Sequence, residues 1–325
     1  MPPAWCGTVD ARVRSVFRMR LIVRHTESMA SVDRLDPVLD RFRISTRLFH
    51  TGPLCGVTTF GAQPGRGFLH VLRAGEMEVT HQTDGRLQRR RVTEPSLLLY
   101  PRPLEHAFHN APTEESDFAC ATLDFGGGVT HPLVQTLPPV LVVPLAEVDG
   151  LAPALDLLFA EIDDVRCGRR LLADRLFEVV LIQLFRWVLD HAGSLGLSAG
   201  LLTGLADERL APALVALHRD PGRGWTLELM AREAGLSRSA FAARFREVVG
   251  QPPADYLTAW RVTIGQERLR GGASVQQTAR ELGYATPAAF SRAFTQRLGR
   301  SPRAWLAAGA VSPDAEMSAP VPASA

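Results

Sequence analysis

The chain has 325 residues, 46% hydrophobic and 22% charged. That exceeds one minimal domain and is too apolar for a disordered chain, so two globular domains are expected. No run reaches the ~18 to 20 uninterrupted apolar residues of a membrane span, which excludes a transmembrane helix: the most apolar stretch, Phe177 to Leu189, is broken by Glu178, Gln183 and Arg186. The formal net charge is only +2, yet it is unevenly spread. From Arg209 to Gly309, 15 arginines stand against 7 carboxylates. The C-terminal third is the basic part, and a polyanion is its natural partner.

Residues 1 to 28 do not read as a signal peptide. Arg14, Arg18, Arg20 and Arg24 interrupt any apolar core, and the segment is expected to be a disordered tail or the product of a start codon placed too early. Cys6, Cys55, Cys120 and Cys167 are scattered, so neither a zinc knuckle nor a disulfide framework is indicated and a reducing, cytoplasmic setting fits. Between 44 and 125, short β-type runs (Leu54 to Phe60, Gly67 to Arg73, Met77 to His81, Ser96 to Tyr100, Phe118 to Phe125) are separated by turn formers. That spacing predicts a sandwich or barrel, assigned to 29–145.

From Leu151 the period changes to helical. Leu151, Leu155, Leu158 and Ile162 form one face; Leu172, Leu176, Val179, Ile182 and Leu189, with Phe185 and Trp187, form another, and Cys167-Gly168 breaks them. The pattern predicts an αα-hairpin over 146–191 with apolar surface to spare for a homodimer. A Gly/Ser-rich linker is expected over 192–206, an all-α domain over 207–309, and a disordered Pro/Ala/Ser tail over 310–325.

The all-α part contains one pattern twice. Thr226 opens the first unit, Gly235 ends its first helix, and Phe241-x3-Phe245 anchors the second. Ser274, Gly283 and Phe290-x3-Phe294 repeat the plan. Each unit reads as a helix-turn-helix. With Phe241 at zero and ~100° per residue, Phe245 and Val248 pack while Ser239, Ala242, Ala243 and Arg246 point out. In the second unit Phe290, Phe294 and Leu298 pack, and Ala288, Ser291, Arg292 and Thr295 face away. Arg292, mid-helix and outward, suits a bidentate contact to guanine; Arg246, Arg297 and Arg303, toward helix ends, suit phosphates, as do the helices capped by Thr226 and Ser274. Between the units, Pro253 to Arg270 predicts one helix packing through Tyr256, Leu257, Trp260, Ile264 and Leu269. Its span of about 27 Å would hold the readers roughly one duplex turn apart.

The double unit resembles the DNA-binding domain of AraC/XylS-type transcriptional regulators. The resemblance rests on Gly250-Gln-Pro-Pro-Ala-Asp-Tyr256-Leu, Trp260-Arg261, and Gly283-Tyr through Phe290-x3-Phe294 to Ser301-Pro302. It implies base contacts from Ser239, Ala242, Ala243, Ser291 and Arg292. Ala242 and Ala243 depart from the longer polar side chains of many members, so the first unit would act chiefly through Arg238, Arg246 and shape. The strand-rich region is similar to the cupin-type sensor barrel of such regulators. Pro101-Arg-Pro-Leu-Glu-His106 resembles the second cupin motif; His70 stands alone where a His-x-His pair is expected, and Glu76 is only loosely placed.

Two histidines and one carboxylate could bind iron or zinc. Lone histidines in strands are more often satisfied core or pocket groups, so no metal or cofactor is assigned, and His70, Tyr100 and His106 are expected to line an effector pocket. The fold class is therefore α+β: a cupin-like β-barrel with an αα-hairpin, then two helix-turn-helix units joined by a long helix. The leading reading is a DNA-binding regulator, not an enzyme, with promoter DNA, a small-molecule effector, a second copy of itself and RNA polymerase as candidate partners, and no membrane. The competing reading is a metal-dependent cupin enzyme with a basic helical appendix.

Overall fold

The computed structural model describes residues 33–110, 116–126, 131–164 and 166–309. The segments expected to be disordered, 1–28 and 310–325, lie outside the described residues. A short helix α1 (Asp36–Leu39) leads into nine antiparallel strands: β1 (Ile44–Pro53), β2 (Gly56–Phe60), β3 (Arg66–Ala74), β4 (Met77–Thr83), β5 (Arg86–Val92), β6 (Ser96–Tyr100), β7 (His106–Asn110), β8 (Asp117–Phe125) and β9 (Leu141–Pro144). They form a five-stranded sheet in the order β1-β8-β3-β6-β9 and a four-stranded sheet in the order β2-β7-β4-β5. Phe68, Leu72, Leu98, Tyr100, Phe118 and Cys120 from the first sheet meet Phe60, Met77, Val79 and Phe108 from the second in one core. Leu69, Val71, Leu97, Leu99, Ala119 and Ala121, at the alternate positions, are equally buried. The central strands are thus covered on both faces, which explains their nearly continuous apolar runs.

Four strands escape the sequence pattern. β5 (RLQRRRV) is exposed at six of its seven positions because it is a sheet edge, where charged residues discourage further pairing. β1 and β7 mix polar and apolar residues, and β9 has only four residues.

After α2 (Pro132–Thr136), helices α3 (Ala152–Asp163) and α4 (Arg169–Asp190) form the predicted hairpin. Arg73 reaches Asp163 at 3.1 Å and Asp117 at 3.3 Å, with its guanidinium over Phe159. The Leu48 amide donates to Asp174 at 2.7 Å and fixes α4 along β1. The packing face of α4 overlaps the expected one only in part: Leu176, Phe185, Trp187 and Leu189 are buried as expected, but Leu172, Val179 and Ile182 are exposed, and Ala173, Phe177, Val180, Leu181, Leu184 and Val188 are buried instead. A helix apolar around most of its girth gives no unique phase, and its neighbours choose the face.

The remaining helices are α5 (Leu201–Ala206), α6 (Ala211–Arg219), α7 (Leu227–Glu233), α8 (Arg238–Val249), α9 (Pro253–Arg270), α10 (Val275–Glu281), α11 (Pro287–Leu298) and α12 (Pro302–Gly309). The second half of the expected linker is therefore helical. Leu201, Leu202 and Leu205 are buried, and the Thr203 hydroxyl donates to the Val248 carbonyl at 2.9 Å. Apolar residues at this density cannot stay solvated, so α5 docks, packing on α6 and α8 and on α2 and α4.

α9 is the post of that domain. Tyr256 meets Phe245 of α8 (ring centroids 5.5 Å), and Gly265 lets Phe290 of α11 approach the helix backbone. Trp260 meets Phe42 of the front domain at 5.2 Å. Arg261 donates to the carbonyls of Pro221 (2.7 Å) and Arg223 (3.0 Å) and lies over Tyr284, tying the turn before α7 to the turn after α10. At that junction Gly283 has φ +73°, and a Cβ there would overlap the Gly222 carbonyl oxygen. Gly283→Ala is expected to lose at least about 2 kcal/mol from combined strain and overlap, read as a lowered Tm in thermal unfolding; an unchanged Tm would show that the turn is not constrained.

Candidate nucleic-acid interface

Both units form as helix, glycine turn, helix, for local reasons. Thr226 and Ser274 cap α7 and α10 by accepting the Leu229 and Gln277 amides at 3.2 and 3.1 Å. Gly235 and Gly283 turn the chain at φ +61° and +73°. Ser237 and Thr286 then cap α8 and α11, and Gly250 and Gly299 end them in the left-handed conformation. Phe241, Phe245, Phe290 and Phe294 are fully buried, which fixes the rotation of both helices. Val249 is the buried partner in α8, while Val248 and Leu298 are half-exposed.

On the opposite faces, Ser239, Ala243 and Arg246 of α8 and Ala288, Arg292 and Thr295 of α11 are exposed; Ala242 and Ser291 sit half-buried at the edges of these stripes. Among the described residues, Arg246, Arg292 and Arg303 have no carboxylate or hydrogen-bond partner within the chain. Arg238 is engaged by Glu228 at 2.8 Å, and Arg297 reaches the Gln251 side chain at 3.4 Å. Either would have to exchange that contact to meet a phosphate. Gln296 is exposed one turn beyond Arg292 and was not singled out from sequence; the i, i+4 spacing from Arg292 is the signal that places it on the same face. An exposed arginine followed by an exposed amide suits base edges in a major groove.

The barrel residues His70, Tyr100 and His106 come together, and each is at most 1% exposed. His106 Nδ1 donates to the Leu104 carbonyl at 2.9 Å, so its Nε2 accepts from His70 Nε2, also at 2.9 Å. The Tyr100 ring stacks on His106 at 3.8 Å, while Phe60, Phe68 and Phe108 pack around the pair. His81, which the sequence reading did not select, pairs across strands with His106. His70 Nδ1, His81 Nδ1 and the Tyr100 hydroxyl are buried without a partner. Glu76 does not join them: it is bound to Arg91 at the far end of β4. Among the described residues no three His, Cys, Asp or Glu side chains are placed to hold a metal ion.

Burial holds these imidazoles neutral. His70 is pushed well below its ordinary value near 6.5 by burial and then by His106, and His106 is pushed down to about 4 by burial. The unfolded chain therefore binds more protons below pH 6.5. Stability is full above about 6.5 and falls as the pH drops toward 4, on the order of 1 kcal/mol per pH unit for each such ring. Thermal unfolding between about pH 7 and pH 4 is expected to show this slope, shallower in His106→Gln; a flat wild-type profile would contradict the buried neutral pair.

The chain matches the Cupin family over residues 33–190 and a Helix-turn-helix domain family over 230–308. A Streptomyces lividans protein named as an AraC-like transcription regulator is 37% identical over 181 residues, 55% of this chain and 59% of its own length. One of the same name from Streptomyces antibioticus is 39% identical over 186 residues, 54% of this chain and 61% of its own length. The match thus spans about three fifths of these relatives. The solved DNA-binding domain of AdpA, a global transcriptional factor in complex with a target DNA, is 31% identical and covers 32% of this chain and 95% of that chain, with a TM-score of 0.30. With a cupin domain ahead of a helix-turn-helix domain, the chain is similar to proteins named as AraC-like transcription regulators.

Proposed function

We propose that the chain is a one-component transcriptional regulator. Its two helix-turn-helix units read promoter DNA, and its cupin domain responds to a small molecule. The observation that carries this reading is the pair of capped helices, α8 and α11, seated on one post with their uncommitted arginines, Arg246 and Arg292, facing outward. Ser239, Ala242, Ala243, Ser291 and Arg292 are the base-facing set. Thr226, Arg238, Arg246, Ser274, Arg297 and Arg303 are the phosphate set. The buried polar atoms of His70 and Tyr100, which lack partners, support an effector pocket beside His106.

The chain is read as a cytoplasmic protein without catalytic activity, acting at promoters with RNA polymerase. Among the described residues no helix is long and apolar enough to cross a membrane. A homodimer through α3 and α4 accounts for the exposed Leu157, Leu171, Leu172, Val179 and Ile182. Sedimentation at micromolar concentration is expected to give a dimer, and a monomer there would remove this element. The enzyme reading predicts stoichiometric iron or zinc in the purified chain, held through His70 and His106.

DNA binding tests the main proposal. Affinity is expected to fall steeply with salt, by about 10³-fold or more between roughly 50 and 200 mM if six or more phosphates are neutralised. Arg292→Ala is expected to lose about 1 to 3 kcal/mol of discrimination at one base-pair position. An Arg292→Ala variant with the wild-type sequence preference would reject the base-reading assignment.

A further inference from the structure

Phe49 stands apart from the other rings of the barrel. Phe60, Phe68, His70 and Phe108 are at most 8% exposed, whereas Phe49 is 44% exposed. It meets Phe60, Phe68 and His70 only edge-on, at ring-centroid distances of 6.0, 6.0 and 6.4 Å, while Phe60 and Phe108 lie 4.7 and 4.8 Å from His70. The backbone puts it there. The register of β1 against β8 shifts between Leu48 and His50, so Phe49 is the extra residue of a bulge, a device that re-aims one side chain. β1 and β2 are edge strands of their sheets and do not pair with each other. At this seam the barrel is closed by the rings of Phe49 and Phe60, and swinging the Phe49 ring to another rotamer breaks no backbone hydrogen bond.

Phe49 also borders a surface recess of about 260 Å³, lined by Leu48, Phe49, His50 and Thr51 of β1 and by Arg169 and Arg170 at the start of α4. One ring thus separates open space from the histidine pair. His70 adds a chemical requirement. Its Nε2–H donates to His106, so its Nδ1 is the lone-pair acceptor of a neutral imidazole, and that atom is buried with no partner. Phe49, Phe60 and Phe68 offer it no donor, and a buried acceptor left unpaired is costly.

Building on the effector reading above, we propose that Phe49 is the gate of the sensing site and that the ligand it admits is a small aromatic molecule with one hydrogen-bond donor, of the phenol or indole type. Its flat ring replaces that of Phe49 against Phe60 and Phe68, and its O–H or N–H donates to His70 Nδ1. A polyol would leave its other hydroxyls unpaired among phenyl rings, and a carboxylate presents only acceptors to that atom. The Leu48 amide beside the bulge is bound to Asp174 of α4, so a displaced Phe49 is felt in the helical hairpin as well.

Calorimetric titration of the full chain with phenol, and with toluene as its counterpart of equal shape lacking the donor, tests the site. A purely apolar cavity prefers toluene, because water holds the phenol hydroxyl. The wild type is expected to bind phenol saturably and more tightly than toluene by about two- to tenfold, the net worth of one hydrogen bond. Phe49→Ala, at a half-exposed position, is expected to keep its fold and to bind phenol about tenfold tighter, since no closed ring has to be moved first, and Phe49→Trp to bind it more weakly. No saturable binding to the wild type would overturn the proposal, even if Phe49→Ala bound, because that variant would then show only a hole made by the substitution. Toluene binding as tightly as phenol would overturn the donor to His70, and an unchanged affinity in Phe49→Ala would overturn the gate. DNA affinity with and without saturating phenol is measured separately: phenol that binds without changing it would remove the effector reading and leave the site standing.

Discussion

The packing of α9 is the constraint on which the rest of the structure depends. A single 18-residue helix buries Tyr256 against the first reading unit, Gly265 against the second and Trp260 against the front domain. Three bodies that share one rigid element cannot rearrange independently. The separation of α8 and α11 is set by where Phe245 and Phe290 meet that helix, and Arg261 adds a clamp between the two turns at its side. The domain therefore resembles a caliper with a fixed gap more than two hooks on a string, and a fixed gap is what successive turns of a duplex require.

The same helix gives the front domain a handle on the readers. Phe42 sits against Trp260, and His131 holds Phe42 by donating from Nε2 to its carbonyl and by ring contact at 5.6 Å. His131 also accepts the Leu133 amide and caps α2. A change in the barrel that moves the segment from α1 to β1 would be felt at Trp260, in the middle of the post. The coupling needs no long pathway: the Phe42–Trp260 contact, the Arg219–Asp36 pair and the bonds from Arg34 to the Leu205 and Ala206 carbonyls lie where the domains meet. Docking of α5 on the end of α8, through the Thr203 hydroxyl and the Val248 carbonyl, ties the start of the C-terminal helices to the first helix-turn-helix unit.

What was legible in the sequence follows from what each segment packs against. α9 reads correctly from Pro253 to Arg270 because its main packing face repeats at helical spacing between a proline start and a glycine end. Val262 and Gln266 are also buried, but only because a second set of neighbours covers that side. The helix-turn-helix units were legible because capping and glycine turns are local chemistry. The phase of α4 and the strand β5 were not, since one is apolar nearly all round and the other is a charged edge. His70 and His106 were singled out, but the third ring, His81, is brought in only by strand register.

Hydroxyl-radical footprinting of the full chain on a fragment selected from its source genome tests the fixed caliper most directly. The account predicts two protected windows on one face of the duplex, about 10 base pairs apart from centre to centre. A single window, or two windows whose separation varies from fragment to fragment, would contradict it.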